Sequence, residues 1–262
     1  MNIILFDSLS YENALSLTDE RAFHILNVLK LKIGDAFKCG VYNGSKGVGT
    51  ITKITSTQIL FDYTATVMHS QNVIDLTIIL GAVRPICLKR IVRSASECGV
   101  KRLILAGTEL SEKSYLESGF IKNGEALKTI KDGAMQSGET HLLSLEVVPS
   151  VKAALDVINT PYLKNATNEN IVNEDIANDV PTKSRSLFIL DNKTEFYKTE
   201  VPFLQDEKIK SVEAILAIGS ERGWTDNERS LFVDATFLPR KLSSRILRTE
   251  TAAEVAMFPF LK

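Results

Sequence analysis

The sequence predicts an α/β protein in which a small β-rich module precedes a larger, parallel β-sheet. Up to about residue 70, short apolar runs alternate with turn residues, a pattern typical of β-strands joined by tight connections. From residue 73 onward, strand-like apolar runs alternate with segments of helical spacing, and a strand–helix–strand order is typical of parallel sheets. We therefore predict two domains, one over residues 1–70 and one over residues 73–262.

The N-terminal module is expected to be a partly open barrel with one helix. Residues 37–44 end in Asn43-Gly44, and this dipeptide is the strongest short signal for a hairpin. The spacing of apolar residues predicts a helix over residues 20–32, with Gly34 just beyond its C-terminal end. Further strands are predicted over residues 46–53 and 58–65.

The C-terminal domain is predicted to alternate strands with helices. Thr225 and Glu228 have the spacing of a capping box, and Thr249 with Glu250 is expected to precede the last helix. The acidic, Asn-rich residues 164–184 have little apolar periodicity and are expected to form a flexible surface loop. Strands are predicted at residues 76–80, 103–106, 142–148, 187–190, 214–218 and 235–238. Helices are predicted at residues 88–99, 125–136, 151–158, 226–233 and 252–257.

Composition and charge exclude several classes of protein. The chain has 262 residues, of which 44% are hydrophobic and 24% charged, as in ordinary globular proteins. No apolar run approaches the roughly 20 residues that a membrane span needs, and residues 1–7 lack the features of a signal peptide. The three cysteines and three histidines have no metal-ligand spacing. We expect a cytoplasmic protein with reduced thiols, no metal and no membrane partner.

Two loops near the C-terminus are the strongest candidates for a binding site. Residues 218–225 and 242–252 each follow a strand-like run and lead into a helix start. Loops at the carboxyl ends of parallel strands are where open α/β sheets bind ligands, so the two are expected to line one pocket. The usual nucleotide and hydrolase motifs are absent: residues 44–49 have the wrong glycine spacing for a dinucleotide, and no serine lies in a Gly-x-Ser-x-Gly elbow. The net charge of −1 means that any nucleic-acid contact must come from local basic patches.

The same two loops resemble the ribosomal RNA small subunit methyltransferase E family of the SPOUT superfamily. Residues 245–252, Arg-Ile-Leu-Arg-Thr-Glu-Thr-Ala, are identical to a family motif without a break. Residues 218–225, Ile-Gly-Ser-Glu-Arg-Gly-Trp-Thr, are similar to the family's Ile-Gly-Pro-Glu-Gly-Gly-Phe-Ser. Residues 24–35 and 91–100 match further family segments in the expected order, so the resemblance covers essentially the whole chain.

This resemblance implies a fold, an activity and partners. The expected fold is a SPOUT-type parallel sheet with a C-terminal trefoil knot, preceded by a small PUA-like, RNA-binding β-barrel. The expected activity is transfer of a methyl group from S-adenosyl-L-methionine to N3 of a uridine in small-subunit ribosomal RNA. The implied partners are that RNA, free or in the assembled small subunit, and a second copy of the chain in a homodimer.

The resemblance also implies a cofactor pocket. Gly219 and Gly223 are expected to let the backbone approach an adenine closely. Leu190, Ile218, Leu242, Ile246 and Leu247 are expected to pack against the adenine and shield the sulfonium. The full set of implied cofactor-binding residues is Leu190, Ile218, Gly219, Ser220, Glu221, Gly223, Leu242, Ser243, Ile246, Leu247 and Thr249.

The implied catalytic residues are Arg245, Arg248 and Glu250. Either arginine could stabilise negative charge that develops on uracil, whereas Glu250 fits equally well as a carboxylate that stabilises a helix N-terminus. No residue is an obvious general base. RNA contacts are expected from Lys89, Arg90, Arg93 and Arg222, because phosphate contacts supply most sequence-independent affinity.

The chain departs from the family pattern at a few positions. Ser220 stands in place of proline, Arg222 in place of glycine, and Ser243-Ser244 in place of Gly-Pro. Ser94 stands where lysine is usual, and the segment after Gln136-Ser137 lacks the family's arginine. These changes leave an alternative open, in which the chain is a non-catalytic RNA-binding or ribosome-assembly factor on the same fold.

Overall fold

The computed structural model describes residues 2–68, 72–158, 185–197, 201–210 and 213–261. Within these ranges the chain forms two sheets, one of five strands and one of six. The loop predicted over residues 164–184 lies outside the described residues. No helix in the described ranges is long and apolar enough to cross a membrane.

The N-terminal sheet has the strand order β1-β3-β4-β5-β2, so β1 and β2 form its two edges. Its centre is an antiparallel meander of β3, β4 and β5, β2 pairs antiparallel with β5, and β1 pairs parallel with β3. Phe61 packs against Phe6 and Phe37 in its core, with ring centroids 5.5 and 5.3 Å apart, respectively. The strands are β1 Ile4–Phe6, β2 Glu12–Ser16, β3 Ala36–Val41, β4 Lys46–Ile54 and β5 Gln58–Val67.

The helix predicted over residues 20–32 is shorter than expected and changes type. It begins as an α-helix, α1 Glu20–Phe23, where the side chain of Asp19 accepts a hydrogen bond from the backbone N–H of Arg21. It continues as a wider π-helical turn over His24–Val28 and has ended by Lys30, whose φ is +57°. Gly34 lies beyond the helix, in the connection to β3. The prediction assumed a constant period of 3.6 residues, which a π turn does not keep.

The C-terminal sheet has the strand order β11-β9-β10-β6-β7-β8, and every neighbouring pair is parallel, which confirms the predicted parallel sheet. The predicted strand at 235–238 is displaced, because Ala235 ends a helix and Thr236 has a φ of +64°. The predicted strand at 142–148 starts two residues late, at Ser144. The strands are β6 Ile74–Gly81, β7 Val100–Ala106, β8 Ser144–Val148, β9 Arg185–Leu190, β10 Glu213–Ile218 and β11 Leu238–Arg240.

Helices cover both faces of this sheet. On one face, α2, α4 and α8 bury apolar residues such as Leu88, Ile130 and Ala253 in the larger core. On the other face, α5 and α7 bury Leu155 and Phe232. The helices are α2 Pro85–Glu97, α3 Gly119–Lys122, α4 Glu125–Ser137, α5 Val151–Ile158, α6 Thr194–Tyr197, α7 Asp226–Asp234 and α8 Thr249–Met257.

The two helices that follow the candidate loops start differently. The capping box predicted at the start of α7 is present, since Thr225 and Glu228 each accept the other's backbone N–H. The cap predicted for α8 is wrong. Thr249 is already the first residue of the helix, and the residue before it, Arg248, makes no side-chain capping bond. A hydroxyl followed by a carboxylate suits either the N-cap or the first turn, so sequence alone did not separate the two positions.

The two sheets are joined by a hydrogen-bonded contact around residues 139–142. Glu139 accepts from Lys46 Nζ at 2.8 Å and from Asn72 Nδ2 at 2.7 Å. Thr140 is fully buried, and its hydroxyl donates to the carbonyl of Gly44 at 2.8 Å. The segment that lacks the family's arginine therefore carries a carboxylate that binds a lysine of the N-terminal sheet. The strand order does not distinguish a threaded C-terminal segment from an unthreaded one, so the trefoil knot stays a prediction.

Candidate functional site

Three neighbouring strands of the parallel sheet end at one edge and open into the candidate loops. β9 leads into residues 191–193, β10 into residues 219–224, and β11 into residues 241–248. Since β9 lies between β10 and β11 and all three run parallel, these loops meet at the carboxyl edge of the sheet.

The loops enclose a cavity of about 750 Å³, a volume in the range of small-molecule sites. The two motif loops therefore line one pocket, as predicted. Every residue predicted to bind the cofactor or to act in catalysis lines this cavity, together with Arg222; the roles of these residues remain predictions. The predicted residues along its walls are Leu190, Ile218, Gly219, Ser220, Glu221, Arg222, Gly223, Leu242, Ser243, Arg245, Ile246, Leu247, Arg248, Thr249 and Glu250.

The loop after β10 is a tight turn in which two glycines touch. A Cβ on Gly219 would lie 3.0 Å from the Cα of Gly223 and 3.4 Å from Nε1 of Trp224, so a larger residue would have to displace the loop. Gly223 has a φ of +73°, which favours glycine. Its N–H donates to the carbonyl of Ser220 at 2.9 Å, and the Ser220 hydroxyl donates to its carbonyl at 3.3 Å. The serine found in place of the family's proline thus closes the turn by hydrogen bonding.

Glu221 connects this turn to α2. Its Oε1 accepts the backbone N–H of Arg84, the residue just before α2, at 3.1 Å, and lies 3.8 Å from Nε of the same arginine. A carboxylate in this position interacts favourably with a helix N-terminus. Glu221 lines the cavity, but its carboxylate is engaged by α2.

The loop before α8 presents cations rather than an apolar wall. Arg245 and Arg248 are exposed, and neither forms an ion pair with any residue that the structure describes. Ile246, predicted to pack against the adenine, lines the rim of the cavity and is 90% exposed. The apolar floor is instead made by the buried Leu190 and Ile218, with Leu242 and Leu247 half-buried beside them.

Glu250 faces α2 as well as the cavity. Its Oε1 lies 3.5 Å from Nη1 of Arg90, so it pairs with a residue predicted to bind RNA. One turn further along, Ser94 donates to Glu254 Oε1 at 2.9 Å. The Arg90–Glu250 and Ser94–Glu254 contacts both join α2 to α8. Burial, with a contribution from Glu250, raises the pKa of the neighbouring Cys87 thiol, which therefore stays protonated at neutral pH.

The residues predicted to bind RNA do not all lie together. Lys89, Arg90 and Arg93 are exposed on α2 and do not line the cavity, whereas Arg222 does. Lys89 Nζ lies 3.8 Å from Glu125, and Arg90 is paired with Glu250. Arg93 has no carboxylate partner among the described residues.

The structure adds residues that sequence reasoning missed. Asp191 and Arg229 form an ion pair in the cavity wall, with Nε of Arg229 2.6 Å from Oδ2 of Asp191, and their side chains are only 9% and 4% exposed. Asp191 follows directly on a predicted strand, which is a usable signal for a site residue. Arg229 had no such signal, because it lies in a helix where charged residues normally face solvent. The other missed cavity residues are Arg84, Cys87, Asn192, Lys193, Trp224 and Ala252. Within the described residues, no group of three His, Cys, Asp or Glu side chains could hold a metal ion.

Comparisons with known proteins agree with this architecture. Residues 69–258 match the model of an RNA methyltransferase domain, and residues 17–62 match that of an RNA methyltransferase PUA domain. Ribosomal RNA small subunit methyltransferase E 1 from Borreliella burgdorferi is 31% identical over 256 residues, which cover 98% of this chain and 95% of the relative. Ribosomal RNA small subunit methyltransferase E from Treponema pallidum is 33% identical over 256 residues, covering 97% and 88%.

A solved structure of the same architecture supports the fold. The ribosomal RNA small subunit methyltransferase E from Neisseria gonorrhoeae, bound to S-adenosyl methionine, superposes with a TM-score of 0.71 over 98% of this chain and 95% of its own, at 19% identity. The predicted SPOUT-type parallel sheet and PUA-like N-terminal sheet are confirmed. Since the domain match spans most of the chain and two relatives exceed 30% identity almost from end to end, the chain belongs to the RNA methyltransferase family that includes ribosomal RNA small subunit methyltransferase E.

Proposed function

We propose that this protein is an S-adenosyl-L-methionine-dependent methyltransferase that methylates N3 of a uridine in small-subunit ribosomal RNA. The observation that carries the proposal is one cavity that both motif loops line, with arginines at its mouth that form no ion pair among the described residues. The family membership and the near full-length relatives support the same activity.

The residues of the cavity fit a nucleoside cofactor. Leu190 and Ile218 supply an apolar floor. The tight turn beside it has no room for a side chain at position 219, where glycine stands. Trp224 is 2% exposed, and its Nε1 has no hydrogen-bond partner in the part of the chain that the structure describes. Apolar walls with a few polar groups are typical of sites for adenosine-like ligands. When bound, the cofactor supplies an electrophilic methyl group on a positively charged sulfur.

The protein's part in the reaction is to position the base and stabilise charge. Uracil N3 must lose its proton before or during attack, and negative charge then spreads to O2 and O4. Arg245 and Arg248 lie at the mouth without an ion-pair partner in the described part of the chain, and either guanidinium can stabilise that charge. Glu250 is held by Arg90, and it positions α8 in this mechanism. Cys87 keeps its proton because burial raises its pKa, so it is not the base.

RNA binding is proposed to use the exposed cations on either side of the cavity. The uracil must leave its stack to reach the cofactor, as base-modifying enzymes generally require. Arg222 at the mouth and Arg93 on α2 have no carboxylate partner among the described residues and can contact phosphate. Lys89 and Arg90 must first exchange their contacts with Glu125 and Glu250.

We also propose that the protein works as a cytoplasmic homodimer. Ile246 and Phe258, which flank α8 in the sequence, are 90% and 71% exposed, and a subunit contact over α8 would bury both of them. Light scattering at micromolar concentration should give twice the chain mass of 29.0 kDa. A value of one chain mass over the whole concentration range would contradict the dimer.

Two measurements test the proposed activity. Trp224 is the only tryptophan of the chain and lines the cavity, so its fluorescence should change saturably when S-adenosyl-L-methionine is added. Small subunits from a strain that lacks the gene should then gain 3-methyluridine on incubation with protein and cofactor, as detected by nucleoside mass spectrometry. Saturable binding of cofactor and RNA without any methylated uridine would favour the non-catalytic assembly factor. Methylation at another atom would refute the N3 assignment alone.

A further inference from the structure

The Asp191–Arg229 pair is a buried charge cluster in the wall of the cavity, outside both motif loops. Asp191 follows β9, and Arg229 lies on the first turns of α7. Both side chains line the cavity although both are more than nine-tenths buried. Charges this deeply buried are costly unless each is paired and hydrogen-bonded.

Asp191 is saturated with donors from the protein. Its Oδ1 accepts the backbone N–H groups of Asn192 at 2.7 Å and Lys193 at 3.2 Å. Its Oδ2 accepts from Nε of Arg229 at 2.6 Å and from the hydroxyl of Tyr197 at 3.2 Å. With four donors around two oxygens, this carboxylate has no capacity left for a ligand.

Arg229 is not saturated in the same way. Nε donates to Asp191, and Nη1 donates to Oδ1 of Asp226 at 2.8 Å. Nη2 donates to neither aspartate, and the Tyr197 hydroxyl also lies in hydrogen-bonding contact with the guanidinium. A guanidinium has five N–H donors in a fixed fork, so a buried arginine in a cavity wall has N–H groups left for an acceptor.

We infer that Arg229 binds the carboxylate of the methionine part of the cofactor through the N–H donors that Asp191, Asp226 and Tyr197 leave over, while Asp191 holds the guanidinium in place. This inference rests on the proposed function, because it assigns one end of the proposed cofactor. The carboxylate is the anionic group of S-adenosyl-L-methionine, and a guanidinium matches carboxylate geometry. Asp191 fixes the side chain before the ligand arrives, which lowers the entropic cost of binding.

Lys193, a second cation in this part of the cavity wall, is less suited to bind the carboxylate of the cofactor. Lys193 has a half-exposed side chain, and its Nζ lies 3.6 Å from the exposed carboxylate of Asp226. An exposed ion pair of this kind contributes little and leaves the lysine flexible. It therefore serves as a matched control, since it lines the same cavity and carries the same charge.

Two ligands that differ only at the methionine end isolate the proposed contact. S-adenosylhomocysteine carries the carboxylate, and 5′-methylthioadenosine lacks the whole aminocarboxypropyl group. Their dissociation constants are measured by calorimetry on the full-length protein. In Arg229→Gln, the affinity for S-adenosylhomocysteine should fall about tenfold to a hundredfold, the effect of losing a charged hydrogen bond, while that for 5′-methylthioadenosine changes far less. Arg229→Lys should recover part of the lost affinity for S-adenosylhomocysteine, because lysine keeps the positive charge but lacks the planar, two-pronged guanidinium.

Loss of Arg229 alone leaves a buried carboxylate unpaired and can destabilise the fold. The paired variant Asp191→Asn/Arg229→Gln removes both charges and keeps a polar side chain at each position, and it should show the same selective loss for S-adenosylhomocysteine. An equal loss for both ligands would mean that the pair is only structural and would overturn the inference. A selective loss in Lys193→Gln rather than in Arg229→Gln would also overturn it, in favour of the lysine. If the unmodified protein binds neither ligand, the proposed function itself fails.

Discussion

The basic residues on α2 and those at the mouth of the cavity differ in what surrounds them. On α2, Lys89 and Arg90 have carboxylate partners at 3.8 and 3.5 Å. At the mouth, Arg245 and Arg248 are exposed and have no such partner in the part of the chain that the structure describes. A paired cation must exchange one partner for another before it binds RNA, whereas an unpaired cation is available at once. Basic residues that look alike in the sequence therefore differ in how readily they can contact RNA.

The largest expected effect is on the rate of methylation, when an arginine at the mouth of the cavity is replaced. Arg245→Ala or Arg248→Ala should slow single-turnover methylation by about a hundredfold to a thousandfold, the effect of removing one electrostatic stabiliser of the transition state. Cofactor affinity, followed through the fluorescence of Trp224, should change much less. Arg93→Ala is the matched control: it removes an equally exposed arginine from α2, and the rate at saturating RNA should not change. Small and equal effects at all three positions would refute a catalytic role for the mouth.

The next effect concerns the turn of residues 219–224, which is proposed to bring the cofactor close to the backbone. Gly219→Val places a branched side chain where even a Cβ would lie 3.0 Å from the Cα of Gly223. The loop must shift to relieve overpacking that costs about 1–3 kcal/mol. Because the binding conformation would have to be restored against that cost, cofactor affinity should fall by about tenfold to a hundredfold. Calorimetry measures the affinity, and a cooperative melting curve shows that the variant folds. Unchanged affinity in a folded variant would place the cofactor elsewhere.

A feature of this structure can be predicted from the sequence when a local pattern determines it, and cannot when contacts between distant residues determine it. The alternation of strands and helices and the capping box of α7 are predictable because each depends on neighbours in sequence. The pocket formed by the two motif loops is predictable because loops at the carboxyl ends of parallel strands meet at one edge of the sheet. The helix over residues 20–32 was predicted too long, because a π turn at His24–Val28 alters the period. The Asp191–Arg229 pair joins residues 38 positions apart, and nothing local to Arg229 marks it as buried. The carboxylate partners of Lys89 and Arg90 are non-local in the same sense.

A smaller effect should separate the paired from the unpaired cations of α2. Arg93→Ala should weaken binding of small-subunit ribosomal RNA and reduce the slope of log affinity against log salt by about 0.7–0.9, the change for one lost phosphate contact. Arg90→Ala should change that slope less, because Glu250 already occupies its guanidinium. Filter binding between about 50 and 200 mM salt measures both. If the two variants have the same slope, the ion pairs on α2 do not restrict RNA binding.

The smallest expected effect tests the ion pair itself. Glu250→Gln keeps the shape of the side chain on α8 but removes the charge that lies 3.5 Å from Nη1 of Arg90. Since partly exposed ion pairs contribute about 0.2–1 kcal/mol, freeing Arg90 should strengthen RNA binding by at most about fivefold and steepen its salt dependence. In the double variant Arg90→Ala/Glu250→Gln the gain should disappear, because the freed cation is gone. The single variant Glu250→Gln also decides between the two roles of Glu250. A fall in the single-turnover rate as large as that of Arg245→Ala would make Glu250 a catalytic residue, whereas tighter RNA binding at a similar rate would leave it as the carboxylate that restrains Arg90.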